Sequence, residues 1–243
     1  MVATPRRPAF YALGSGRLGD ALTLLHPPYT LWHLSYVALG AGVASHVHAG
    51  RLLWALGAFA LAVGVGAHVL DELRDRPLRT GFADRTLAMT GAMALLGALA
   101  IGVAGVLTVS PWLAPLVIGG GLFMPAYNLE LAGGRFHNDL WFAFGWGAFP
   151  AFTGYFVNSL EVGPAGLLMA AGCMALSFAQ RRLSSAAREL RRRTLSIEGT
   201  RTLTDGAREE LSLAGMLAPL DGALALLSLA VPALAGALLA ARL

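Results

Sequence analysis

The apolar positions of this chain fall in long unbroken runs, not at the three-to-four-residue spacing of an amphipathic helix. Residues 29–50 carry no Asp, Glu or Arg, and neither do 52–70, 86–109, 112–128, 140–160 and 163–180. Each run approaches the roughly 20 residues that an α-helix needs to cross the hydrocarbon core. A closed β-barrel also satisfies every backbone group in lipid, but it requires an alternation of polar and apolar residues that these runs lack. The last apolar stretch, 211–241, is interrupted by Pro219, Asp221, Gly222 and Pro232. It reads as one long kinked helix or two short ones. The pattern predicts an all-α integral membrane protein, a single transmembrane domain over 1–243 with seven or eight spans.

Composition agrees: charged residues are 13% of the chain, about half the share of a soluble domain. Every basic residue is arginine, and the arginines are unevenly placed. Arg6, Arg7 and Arg17 precede the first run, with no cleavable apolar core among them, so no signal peptide is expected. Arg74, Arg76, Arg79 and Arg85 follow the second run, Arg135 the fourth, and a cluster from Arg181 to Arg208 the sixth. The loops after the first, third and fifth runs contribute only Arg51. The positive-inside rule then puts the N-terminal segment 1–25 and the polar loops 71–85 and 181–208 in the cytoplasm of a multi-pass cell-membrane protein. The basic balance reflects these loops and does not argue for nucleic acid. Cys173 is the only cysteine, so no internal disulfide is possible. Glycines fill the spans, as expected of helices packed closely in lipid.

The polar residues that carry chemistry gather where the second run ends. His68, Asp71 and Asp75 stand at i, i+3 and i+7, on one face of a helix, and Glu72 is at i+4 from His68. Such acids at a membrane boundary are costly unless paired or bound to metal. An oxygen-rich set suits Mg²⁺, which keeps waters and bridges to substrate phosphates, while nearby arginines bind phosphate oxygens. The bland alternative is an interfacial turn whose acids pair with Arg74, Arg76 and Arg79.

The segment from Ala67 to Asp75 resembles the N-D-x-x-D-x-x-x-D motif of the UbiA superfamily of intramembrane prenyltransferases. Asp71 and Asp75 match its second and third aspartates, and Ala67-His68 stands in place of Asn-Asp. Arg76-Pro77-Leu78-Arg79-Thr80-Gly81 is similar to the R-P-L-x-x-G segment, here following at once. Three other segments are similar in order: His26-Pro27-Pro28-Tyr29-Thr30-Leu31-Trp32, the stretch from Tyr127 to Phe156 with its Gly154-Tyr155 pair, and Gly199-Thr200-Arg201-Thr202-Leu203. The likeness covers roughly His26 to Gly206. The family's second acidic motif is missing: Arg191 and Leu195 occupy its positions.

The resemblance implies a bundle around a central apolar cavity, and ionisation of an allylic prenyl diphosphate substrate at its cytoplasmic mouth. It implies Mg²⁺ on Asp71, Asp75, Glu72 and His68, with Asp71, Asp75 and His68 catalytic. Arg76, Arg79, Arg181, Arg182, Arg188 and Gln180 are the expected diphosphate ligands, with Ser184, at i+4 from Gln180, adding a hydrogen bond. Trp32, Tyr36, Tyr127, Asn128, Phe142, Trp146, Phe149 and Tyr155, with Phe156, are the expected substrate and cation contacts. His33 is a candidate base or packing residue, and His46 and His48 fall on the far side. Membrane lipids are the other expected partners. Two alternatives stay open: a terpene cyclase that ionises the same substrate without an acceptor, and a non-catalytic lipid-binding or scaffold protein.

Overall fold

The computed structural model describes residues 9–13 and 16–243; Arg6 and Arg7 lie outside the described residues. After the short helix α1 (Arg17–Leu24), each apolar run becomes one rod. These are α2 (Pro27–Gly42), α3 (Ala49–Asp75), α4 (Asp84–Thr108), α5 (Ala114–Asn128), α6 (139–159), α7 (Pro164–Arg192) and α8 (Leu213–Ala240). Three of them, α3, α4 and α8, are long and apolar enough to cross a membrane. The ambiguous last stretch is one helix, continuous through Pro219 and Pro232.

The two segments expected as polar loops are partly helical. α3 continues to Asp75 and α7 to Arg192. Their Arg, Leu, Ala and Glu residues are strong helix formers, and polarity alone does not stop a helix. Beyond α7 the chain forms a small exposed hairpin, β1 (Thr200–Thr202) against β2 (Arg208–Glu210), with Arg201 opposite and ion-paired to Glu209 at 2.6 Å. Gly206, at φ 84, supplies the left-handed residue of its turn.

The core lies where α2 packs on α6 and α8, around Trp32, Tyr36, Leu39, Ala151, Cys173 and Val231. Contact between α2 and α6 is backbone on backbone. A Cβ added to Gly40 would overlap the Ala151 carbonyl, and one added to Gly154 would overlap that of Val37. Two stretches are wound as π-helix: 60–67 of α3 and 144–148 of α6. Such turns recur at functional sites. In α6 the cause is local. A regular helix would bond the Trp146 carbonyl to residue 150, and Pro150 has no N–H. His33 Nδ1 lies 2.8 Å from that carbonyl.

Glu72 is not available to a metal. It is fully buried, and its carboxylate accepts from the Leu78 N–H (2.9 Å), the Thr80 N–H (2.7 Å) and the Thr80 hydroxyl (2.9 Å). It thereby holds the 76–80 turn, in which Arg76 and Arg79 both take left-handed φ angles. Glu72→Ala strands these donors and is expected to cost about 3–5 kcal/mol, read as a lower unfolding temperature in detergent. An unchanged melting temperature would contradict the capping role.

Candidate functional site

α3, α5 and α7 end, and α2, α6 and α8 begin, at one end of the bundle, around a polar cavity of about 340 Å³. Asp71 and Asp75, one turn apart on α3, line one wall. Gln180, Arg181, Ser184 and Arg188, on successive turns of α7, line the other. The structure thus brings the two polar segments of the sequence to one site.

Among the described residues, neither Asp71 nor Asp75 has a salt-bridge partner, because the nearby arginines are engaged elsewhere. Arg74 pairs with Glu130 at 3.0 Å and donates to the Leu129 carbonyl at 3.2 Å. Arg76 turns away, donating to the Phe82 carbonyl at 2.7 Å and pairing with Asp84. Arg181 Nε meets Asp139 at 3.0 Å, and its guanidinium lies 5.2 Å from the centre of the Phe142 ring. Arg191 pairs with Asp221, which places the one acid of α8 at this same end. Arg188 is different. Its donors reach only hydroxyls, Ser184 at 3.1 Å and Ser185 at 2.8 Å, and no carboxylate pairs with it among the described residues.

Three lining side chains are nearly fully buried and carry an atom without a hydrogen-bond partner among the described residues: Gln180 Oε1, Asn128 Oδ1 and Tyr127 OH. Each such group costs about 1–3 kcal/mol, so their gathering at one cavity points to a polar occupant. Beside them the rings of Phe142 and Trp146 stack at 5.4 Å and 8°, and Tyr127 lies 4.4 Å from Trp146.

His33 and His68 also line the cavity. His68 is held by the Gly64 carbonyl at 3.2 Å and stacks on His26 at 4.1 Å, an arrangement of packing rather than ligation. Burial, and then His68 beside it, hold the His26 imidazole well below its usual pKa and so neutral. The segment Ala9–Tyr11 also lines the cavity, with the Tyr11 ring 5.1 Å from His26 and 5.4 Å from Tyr29. Burial raises the Tyr11 phenol above its ordinary pKa. Ala9, Phe10 and Tyr11, and Glu130 and His137 on the loop after α5, are lining groups missed in the sequence. The only signal for the last two was the polar stretch between apolar runs.

Other expected contacts lie elsewhere. Trp32 and Tyr36 are core residues, the indole N–H donating to the phenol oxygen. Arg79 and Arg182 are exposed and do not line the cavity. Tyr155 is buried at the opposite end, its hydroxyl 3.4 Å from Glu161, and Phe156 is packed in the interior. His48 is also at that end, its N–H bonded to Asn158. Phe149 lines a second cavity of about 570 Å³, almost wholly apolar, between α3, α4, α5 and α6. Its wall residues Phe59 and Ala62 pack on the cluster containing Tyr127 and Trp146, so the two cavities share an aromatic partition.

No group of three or more His, Cys, Asp and Glu side chains stands at metal-binding spacing among the described residues. With Glu72 and His68 engaged, Asp71 and Asp75 remain. Two carboxylates facing a cavity fit Mg²⁺, which is commonly held by one or two carboxylates and the phosphates of its substrate. No protein-family model matches the chain, and no curated protein or solved structure is significantly similar to it.

Proposed function

We propose that the chain is a UbiA-like prenyltransferase that ionises an allylic prenyl diphosphate in the polar cavity. The observation that carries this reading is the convergence of Asp71 and Asp75 with Arg188, Arg181 and Gln180 across one space walled by Phe142, Trp146 and Tyr127. Arg188 presents donors that no acid neutralises among the described residues, which suits an anionic ligand. Mg²⁺ on Asp71 and Asp75 would supply charge neutralisation to the leaving diphosphate. Arg188 and Arg181 meet the charge that grows on the diphosphate as the C–O bond breaks, where donors contribute most to rate. The stacked ring faces steady the allylic cation and exclude water. The apolar cavity beyond the aromatic partition is the space for the prenyl chain.

In this reading α2 to α8 are seven spans, with the N-terminus and polar cavity facing the cytoplasm. The support is the placement of arginine: Arg74, Arg181, Arg188 and Arg191 lie at the polar cavity, while Arg51 bonds the Val157 carbonyl near the other end of α6.

Binding tests the assignment without turnover. Geranylgeranyl thiolodiphosphate, whose C–S bond resists ionisation, is expected to bind the purified protein with Mg²⁺. Arg188→Gln is expected to weaken it on the order of 10- to 100-fold. Equal affinity in the two proteins would remove Arg188 from the diphosphate site.

A further inference from the structure

The loop joining α5 to α6 carries a cluster that the diphosphate site does not use. His137 stacks on Tyr127, ring centres 4.6 Å apart at 28°. Its Nδ1 lies 3.1 Å from the Tyr127 carbonyl, and Glu130 Oε1 lies 3.9 Å from the same nitrogen. Arg74 holds the other Glu130 oxygen at 3.0 Å. A carbonyl only accepts, so Nδ1 carries a proton, and in the neutral tautomer Nε2 is the accepting nitrogen. No hydrogen bond engages Nε2 among the described residues.

The backbone is bent to build this arrangement. Glu130 and Ala132 both take left-handed φ angles, 51° and 54°, which are uncommon for residues with a Cβ and persist where the surroundings impose them. The His137 N–H bonds the Gly134 carbonyl at 2.9 Å, and Asn138 caps the start of α6 through the Trp141 N–H. The ring is therefore held from three directions: by stacking, by its Nδ1 bond and by its own backbone. Both His137 and Glu130 line the cavity, beside the Tyr127 hydroxyl, which has no hydrogen-bond partner among the described residues, and the Phe142–Trp146 stack.

We infer that His137 is the general base of the transfer, taking the proton that a phenolic acceptor loses, with Glu130 as the positioning residue that orients it. The inference rests on the prenyltransferase reading above. In the step, the allylic C–O bond breaks and its electron pair leaves with the diphosphate. The allylic carbon forms a bond to the acceptor, at its oxygen or the adjoining ring carbon. The proton displaced from the acceptor passes to Nε2. The His137 side chain is 32% exposed, so the imidazolium then returns its proton to water. The Arg74 pair keeps the Glu130 carboxylate in place beside Nδ1. The aromatic walls select an acceptor that is itself a flat ring.

The test uses full-length protein in detergent with geranylgeranyl diphosphate, Mg²⁺ and 1-naphthol, measuring prenylated naphthol and released pyrophosphate together. His137→Gln is expected to lower the ratio of prenylated product to pyrophosphate by about 10²- to 10⁴-fold, the range of general-base catalysis, with geranylgeraniol formed in its place. Glu130→Gln lowers the ratio less, and Glu130→Asp restores part of it. A ratio in His137→Gln equal to wild type overturns the assignment, as does a loss that only tracks a fallen melting temperature. Pyrophosphate release that survives in Asp71→Ala overturns instead the reading of the diphosphate site. Wild-type release without naphthol transfer, with cyclised hydrocarbon as product, overturns the acceptor and with it the base.

Discussion

Asp71→Asn and Asp75→Asn are each expected to lower Mg²⁺-dependent pyrophosphate release from geranylgeranyl diphosphate by at least about 10²-fold, the scale seen when one electrostatic stabiliser is removed. The substitutions keep shape and remove charge. Neither carboxylate holds a salt bridge among the described residues, so the unfolding temperature is expected to change little. That combination separates a functional acid from a structural one, and Glu72 supplies the contrast. Its carboxylate lies one residue from Asp71 in sequence but is spent on the 78–80 backbone, so its loss unfolds the turn. If Asp71→Asn and Asp75→Asn release pyrophosphate at the wild-type rate, the acids take no part in ionisation.

The second large effect is on folding. Gly40→Val and Gly154→Val are each expected to destabilise the bundle by about 3 kcal/mol or more. At both positions a Cβ meets a backbone carbonyl of the facing helix, Ala151 for Gly40 and Val37 for Gly154. A flexible side chain would yield; a helix backbone does not, and α2 must move off α6. Small residues are what allow such an approach in lipid, where apolar side chains gain little by meeting. The measurement is recovery of monodisperse protein in detergent and its melting temperature. Gly222→Val, where an added Cβ meets nothing within 4 Å, is the control expected to stay near wild type. Wild-type stability in both Gly40→Val and Gly154→Val would mean that the α2–α6 contact is looser than described.

The helical rods were legible in the sequence because continuous apolarity needs no tertiary information. Their ends were less so. α7 outruns its apolar stretch by twelve residues, from Gln180 to Arg192, because Ser184 and Ala187 still face the protein while the arginines face outward or into the cavity. The acidic face of Asp71 and Asp75 was readable from helical spacing alone. The same spacing misassigned Glu72, whose partners at Leu78 and Thr80 depend on a left-handed turn that no periodicity reports. Arg76 and Trp32 were misplaced for a related reason: residue type marks what a side chain can bind, and only packing decides where it points. His137 was invisible for the opposite reason. It sits alone in a polar loop, and its meaning comes from Tyr127, ten residues earlier and beneath it.

On the proposed reading, the polar cavity ionises a prenyl diphosphate. The direct measurement is pyrophosphate release by purified protein given farnesyl or geranylgeranyl diphosphate, with Mg²⁺ and with the ion chelated. The expected result is release above the uncatalysed rate with at least one of the two, lost on chelation. No release from either, under conditions where the protein is folded, would contradict it.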